Sequence, residues 1–597
     1  MIDGGISSLT LGTFLANGNR SPITDPATGN TPLDIKADNT RYLRRYVGGL
    51  EGNVNVFDTD FAWDVYYSRS TTHNGTRSPD NVIPSRFNQA ADAVVDPTTG
   101  ATVCRSTLTN PGDGCIPFNV FGTGVNGIQE YNYVTGTGYA MTILSQDVWA
   151  ASASGSPFST WAGEVSIAFG GEHRIEKVRG IASALDQSAS FFAGNYIPTN
   201  AKWSVTEGFV ETAVPLARNT DWAESLELSG AVRYADYSES GGEVTWKVGA
   251  IYTPVSDFTF RVTQSRDIRA PNLGDLFNAG RAGTGQVDDP FQPDANGNPK
   301  ILPDVVTADV GNPNLEPERA DTTGVGVVFS PSWLPGFTAS LDYYRIDIKG
   351  AIATVDDQDL IDGCFAGVTV FCNSIDRIGG GNGSNVTGDI NFVRAQPQNV
   401  LSQFTDGIDF EFAYNTPLDY LVSGWDGDVT LRGLVNYTFN LKTEDTDPVT
   451  GVVTIFEGAG INGDGGADIS PGLGLVAPDL TWDMTLTYAL DRFSTTLTWR
   501  GTGSGKYRND FIVCTTACPD STSTAPTINQ NHIEAVHYFD ASLSYDFLDN
   551  ATAFLTVKNI LNRDPPIIAS SSFFGGLDND NYDRIGRMFR AGVRFSY

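Results

Sequence analysis

Run after run of this chain alternates apolar and polar residues with a period of two. Leu226, Leu228, Gly230, Val232 and Tyr234 interleave with Ser225, Glu227, Ser229 and Arg233. Phe258, Phe260 and Val262 alternate with Thr259, Arg261 and Thr263. Val429, Leu431, Val435, Tyr437 and Phe439 oppose Asp428, Thr430, Arg432 and Asn436, and Phe539, Ala541, Leu543, Tyr545 and Phe547 oppose Asp540, Ser542, Ser544 and Asp546. This period belongs to strands with two unlike faces, not to helices. The runs reach about nine residues or more, the length that crosses a bilayer when tilted; soluble strands usually run to about five or six. The apolar rows end in Tyr, Trp or Phe, as interfacial girdles require, and the opposite rows carry Arg, Asp, Glu and Thr, which suit a wet interior. No apolar run reaches the roughly 18 residues of a transmembrane helix.

Reading the alternation along the chain places strands near 41–52, 61–70, 138–153, 163–178, 202–216, 225–238, 242–255, 258–270, 321–330, 336–350, 402–415, 428–442, 480–490, 493–506, 537–548, 551–562 and 585–597. Connections are short at Asp491-Arg492 and Asp549-Asn550, near Thr253 to Asp257 and from Ser330 to Pro335. They are long over 71–137, 272–320, 352–400, 443–479, 506–536 and 563–584. Short turns at one end and long loops at the other is the layout of an outer-membrane barrel. Three loops share a DPxTG form, at Asp25–Gly29, Asp96–Gly100 and Asp447–Gly451, in which Pro presets φ and Gly accepts a positive one; these read as tight turns.

The chain of 597 residues carries 70 acidic and 38 basic residues, a net charge of -32, which argues against nucleic acid as a partner. Acidic stretches such as Asp288-Asp289 and Asp578 to Asp583 read as solvated loop tips, with ion binding the lesser reading. Six cysteines form three close pairs, Cys104 with Cys115, Cys364 with Cys372 and Cys514 with Cys518, each in a long loop. Such pairs suit short disulfides in an oxidising compartment. Zinc is the rival, and only Cys514 and Cys518 have plausible ligand spacing for it.

Catalytic signatures are missing: GxSxG, P-loop and HExxH do not occur, and Gly379-Gly380-Gly381 precedes no helix. His532 and His537 flank Glu534 at a spacing that fits no common zinc pattern, so they read as surface-loop residues. No enzyme, cofactor or metal site is expected. Met1 to Ser8 lacks the basic and apolar regions of a signal peptide.

Three segments resemble the TonB-dependent receptor family. Phe260 to Phe277 is similar to the strand that rises into the family's RAPxLxxLF, here Arg269-Ala270-Pro271-Asn272-Leu273-Gly274-Asp275-Leu276-Phe277. Asn312-Pro313-Asn314-Leu315-Glu316-Pro317-Glu318 is similar to the NPxLxPE element, and Val557-Lys558-Asn559-Ile560-Leu561-Asn562 to VxNLxN. The last strand, with Phe589, Ala591, Val593, Phe595 and Tyr597 on one face, resembles the final strand of outer-membrane barrels, whose terminal aromatic serves as the assembly signal; Phe595 and Tyr597 match it. In the family these motifs mark strand-to-loop transitions, so Arg269, Asn314 and Glu316 read first as structural.

The resemblance implies an all-β, transmembrane antiparallel β-barrel of 22 strands with a plugged lumen; about 17 of those strands are visible here, and the plug domain that precedes the barrel in the family reads as absent, the largest departure from its pattern. Residues 1–40 then read as an external loop and 41–597 as the barrel. It also implies a receptor in the outer membrane of a Gram-negative-type cell. Its partners would be the surrounding lipid, the barrel assembly machinery, the TonB complex acting through the N-terminal part, and a scarce bulky ligand such as a ferric siderophore or an oligosaccharide. Arg233, Arg261 and Arg432 could guide an anionic ligand, or could pair with acids such as Glu227 and Asp428. A passive channel and a non-transporting surface-binding barrel are the rival readings. The ligand-binding residues are not legible.

Overall fold

The computed structural model describes residues 37–596 apart from 122–124, 193–194, 281, 295–296, 382, 384–387, 447–452, 464–474, 510, 522–526 and 567–581. The expected loop over 1–40 therefore lies almost wholly outside the described residues, as do Tyr597 and the DPxTG turns at 25–29 and 447–451.

One sheet of eighteen strands dominates the fold. In chain order its long members are β1 (Asp38–Val56), β2 (Thr59–Val82), β3 (Thr135–Thr160), β4 (Gly163–Ala182), β5 (Asn200–Thr220), β6 (Ala223–Tyr237), β7 (Gly241–Val255), β8 (Phe258–Arg269), β9 (Glu318–Phe329), β10 (Phe337–Thr354), β11 (Pro397–Pro417), β12 (Asp428–Thr446), β13 (Leu480–Leu490), β14 (Phe493–Thr502), β15 (Val536–Leu548), β16 (Ala551–Lys558) and β17 (Met588–Phe595). Each pairs antiparallel with the next, and a short strand, Val453–Glu457, adds to the far end of β12. Among the described residues β1 pairs only with β2, and β17 only with β16.

The strands overrun the expected spans at the long-loop end. Residues 71–82, expected in a loop, continue β2, which reaches 24 residues. Their partner is the start of β3, so the paired backbone groups satisfy one another well past the apolar stretch. The connection 238–240 between β6 and β7 is also short, an exception to the long-loop layout.

The two faces differ as the alternation requires. Register sets Leu50, Val65 and Ala151 in one row and Trp63, Ala153, Phe169 and Val210 in another, on an apolar face. Aromatic side chains crowd the short-turn end of that face. Phe57 is 97% exposed and Trp161 84%, and Trp222, Trp333, Tyr420 and Trp425 are also exposed at this end. Several are anchored by their polar atom: Trp161 Nε1 donates to Leu216 O at 2.7 Å and Tyr252 OH to Trp222 O at 2.7 Å. An apolar body with a wet tip is the chemistry of an interfacial belt.

The β1–β2 turn holds just Phe57 and Asp58, both at positive φ (52° and 61°), the geometry of a type I′ hairpin. In the DPxTG turn at 96–100, Asp96 accepts from Thr98 N at 2.8 Å and from Thr99 Oγ1 at 2.6 Å, and Gly100 sits at φ 72°. The Thr99 hydroxyl and then the Thr98 amide hold the Asp96 carboxyl below the usual carboxylate range. This DPxTG segment is the tight turn its residues describe.

Candidate functional site

The long loops are folded, not trailing. The loops 270–317 and 355–396 together build a second, four-stranded sheet at the long-loop end. Ala282–Asp289 pairs antiparallel with Lys300–Asp309, which pairs parallel with Ile390–Ala395, which pairs antiparallel with Ile375–Arg377. A helix at Asp357–Phe365 packs on it, with Asp356 capping by accepting from Gln358 N at 3.0 Å. Val287, Leu302, Val305, Leu360, Ile361, Phe371, Ile375 and Val393 form its core. Gln358 stitches the loops together: it donates to Asp288 O at 2.9 Å and accepts from Asp288 N at 2.8 Å.

At the heart of this cap lies a sealed ion pair. Arg377 meets Asp289 through two bonds of 2.6 and 2.9 Å, and both side chains are 0% exposed. Arg377 also donates to Gly388 O at 3.1 Å and Gly383 O at 3.2 Å, and lies 5.3 Å from the Phe291 ring centre. Asp289 in turn accepts from Phe291 N at 3.1 Å. Asp289 is thus no solvated loop tip: a bidentate guanidinium and a backbone amide take the place of water. Asp583, from the other acidic stretch, pairs with Arg500 at 3.4 Å; Asp578 lies outside the described residues. The cap holds a second unusual carboxyl, Asp357, which burial pushes up to about 6, with Asp356 and Asp309 adding to the rise and the Thr307 hydroxyl opposing it.

The first two resemblance motifs tie this cap to the sheet. Asn272 caps the short helix Leu273–Phe277, its side chain accepting from Gly274 N at 2.7 Å and Asp275 N at 3.0 Å, while the Asp275 carboxylate accepts from Asn272 N at 3.0 Å. Arg269 forks onto Glu318 at 2.6 and 2.7 Å and reaches Asp275 at 3.0 Å. Asn312 N donates to Asp275 O at 2.8 Å and its side chain to Pro397 O at 2.9 Å. Gly311 presses so closely on Phe277 and Asn278 that a Cβ would collide with their backbone. Arg269 is therefore a structural clasp, and Asn314 N is held by Asn312 Oδ1 at 3.0 Å. In the third motif, Asn559 adopts φ 48° and is sealed from solvent, with its side chain bonded to Arg563 N (2.8 Å) and Arg563 O (2.9 Å).

The other loops carry smaller cores. Phe87, Ala90, Phe118, Tyr131 and Val134 cluster in 83–134. The structure bonds Cys104 to Cys115, Cys364 to Cys372 and Cys514 to Cys518. Among the described residues no group of three or more His, Cys, Asp or Glu is placed to hold a metal ion. His532 and Glu534 line an open cavity of about 570 Å³ with Tyr507, Arg563 and Asp564. His537 departs from the expected surface loop: it lies on β15, among the rings of Trp482 (5.3 Å) and Trp499 (6.0 Å). A cleft of about 400 Å³ opens between Gly283 and Val306 of the cap and Phe191, Phe192 and Ser190 of the 183–199 loop.

On the polar face the arginines take different roles. Arg233 pairs with Glu207 of the neighbouring strand, not with Glu227. Arg261 reaches across β9 to Asp342 at 2.7 Å, a path open only because Gly326 lies between them without a side chain. Arg432 forms no ion pair among the described residues and lines a cavity of about 510 Å³ with Glu411 and Asp483.

The family model described as TonB dependent receptor-like, beta-barrel matches residues 3–560. The chain belongs to that family. Solved structures similar to this receptor barrel include the siderophore receptor PirA from Acinetobacter baumannii (14% identity, TM-score 0.52, covering 94% of this chain and 63% of that one). A mutant of the ferric enterobactin receptor PfeA from Pseudomonas aeruginosa is also similar (14% identity, TM-score 0.55, 94% and 62%). The receptor barrel thus spans less than two thirds of these structures' length, and the likeness concerns the fold. No curated protein matches its sequence. Members of the family reside in the outer membrane, which suits a strand sheet with one apolar face.

The seventeen-run alternation made the long strands legible in advance, whereas the cap was missed. Its signals were present but short: Ile301-Leu302, Val305-Val306 and Phe392-Val393, and an acidic N-cap run Asp356-Asp357 before Leu360-Ile361.

Proposed function

We propose that this receptor barrel takes up a scarce, bulky nutrient across the outer membrane, with the long-loop end facing outward and TonB supplying the energy. A ferric siderophore is the favoured cargo class. The observation that carries the reading is the cap: two loops far apart in sequence share one core and one enclosed ion pair. A passive pore gains nothing from so rigid an external structure; a receptor gains a preorganised surface. The exposed Phe192 ring in the cleft offers a planar, aromatic ligand a stacking partner. Family membership and the two siderophore-receptor folds support the same reading.

Binding to the detergent-purified protein tests the cargo. Ferric catecholate and ferric hydroxamate complexes and a set of neutral oligosaccharides are titrated against tryptophan fluorescence. Saturable binding of a ferric complex, weakened by Phe192→Ala, is expected. Oligosaccharide binding with no ferric complex bound would replace the siderophore reading with a carbohydrate one.

A further inference from the structure

The apolar face ends, toward the long loops, in a band of cations. Register lines up Tyr67, Trp149, His173 and Thr206 as an aromatic row across β2 to β5. The next rows toward the loops read Arg69, Asp147, Ile175 and Ser204; then Arg44, Thr71, Ser145, Lys177 and Lys202; then Tyr42, His73, Ile143, Arg179 and Asn200. Strand period puts all of them on the same face as Trp63 and Phe169. Arg44, Arg69, Lys177, Arg179 and Lys202 are exposed. Three acids share the face on β1 to β6: Asp147, held by Tyr67 OH at 2.7 Å and Arg69 at 3.3 Å, Asp38, opposite Arg77 further toward the loops, and Asp236, opposite Thr206.

Two features make this band unusual. The chain as a whole carries a net charge of -32, so a strip in which cations outnumber acids runs against its composition. Lys177 and Lys202 also stand directly opposite each other on neighbouring strands, a like-charge pair that costs stability. No acidic side chain pairs with Lys177, Arg179 or Lys202 among the described residues. An anion shared between them removes the repulsion.

We infer that this band is a docking surface for the phosphorylated headgroup of an outer-leaflet lipid. The position selects a lipid over a soluble anion: acyl chains would lie along Leu50, Val65, Trp63 and Phe169, the Trp149 row would sit at the interface, and phosphates would meet Lys177, Lys202 and Arg179. Lysine and arginine stems lie along apolar surface while their heads stay wet, which suits this height. The inference rests on the long-loop end facing outward.

The test uses the full protein in detergent and measures binding of a bisphosphorylated, acylated glucosamine disaccharide and of the same lipid stripped of its phosphates. The phosphorylated lipid is expected to bind at least tenfold tighter, and less tightly as salt is raised. The triple variant Lys177→Gln, Arg179→Gln, Lys202→Gln is expected to lose roughly a hundredfold, at about fivefold per cation near a lipid surface. Should that variant fail to fold, Lys202→Glu, which removes the like-charge pair, serves instead, with a loss of more than about fivefold expected. Equal binding of the two lipids, or unchanged binding by the variants, overturns the inference. Nutrient uptake is scored separately in cells, so a failure there is told apart from a failure of lipid docking.

Discussion

Asp357 shows how a single carboxyl can set a pH dependence in the cap. Burial holds its folded value near 6, whereas the unfolded loop ionises near pH 4. The raised folded value means that this group favours the folded cap below about pH 4. Its contribution falls as pH rises toward 6 and is gone above that. Asp389 opposes this trend, since its bond to Lys300 holds it below the usual range. The contribution of Asp357 is isolated by comparing the protein with Asp357→Asn. The variant's cap is expected to resist proteolysis better at pH 7, with the difference vanishing by pH 4. An equal difference at both pH values would show that Asp357 does not titrate in this window.

At the scale of elements, the cap stands or falls on Arg377 and Asp289. Removing one partner of an enclosed pair strands the other charge, at a cost of about 3–5 kcal/mol. Arg377→Ala is therefore expected to open the loops 282–309 and 375–395 to protease while the strand signal of the main sheet stays intact. Arg377→Lys should rescue little, because a lysine cannot reproduce the two-pronged contact with Asp289. Cleavage unchanged from the native pattern would show that the cap does not depend on the pair. The pair was hidden from the sequence because its members lie 88 residues apart in an acidic chain, where Asp288-Asp289 looks like any solvated turn. The motif clasp was easier to find: Asn272 and Asp275 are fixed by a local helix-capping demand that recurs in short patterns, whereas Asn312 and Glu318 are held by Pro397 O, Ile352 N and Arg269, far away in sequence. Their partners were not legible, since Arg269 meets Glu318 only through the register of β8 on β9.

For the whole molecule, the long strands were legible because each must present one apolar and one polar face over a membrane's thickness. That requirement writes itself into every second residue. Strand ends were less legible, because pairing beyond the apolar stretch, as in residues 71–82, needs only satisfied backbone groups and leaves no alternation. The loops owe their structure to contacts between distant segments, so the four-stranded cap, the Phe191 cleft and the cation band emerge only from register. The same architecture supports a receptor whose preorganised cap captures cargo above a polar-walled sheet. The direct measurement is uptake of a radiolabelled ferric siderophore by cells carrying the protein, with and without a functional TonB. Saturable uptake that disappears when TonB is lost is the expected result. Uptake that persists without TonB, rising in proportion to concentration, would mark a passive channel and contradict the receptor reading.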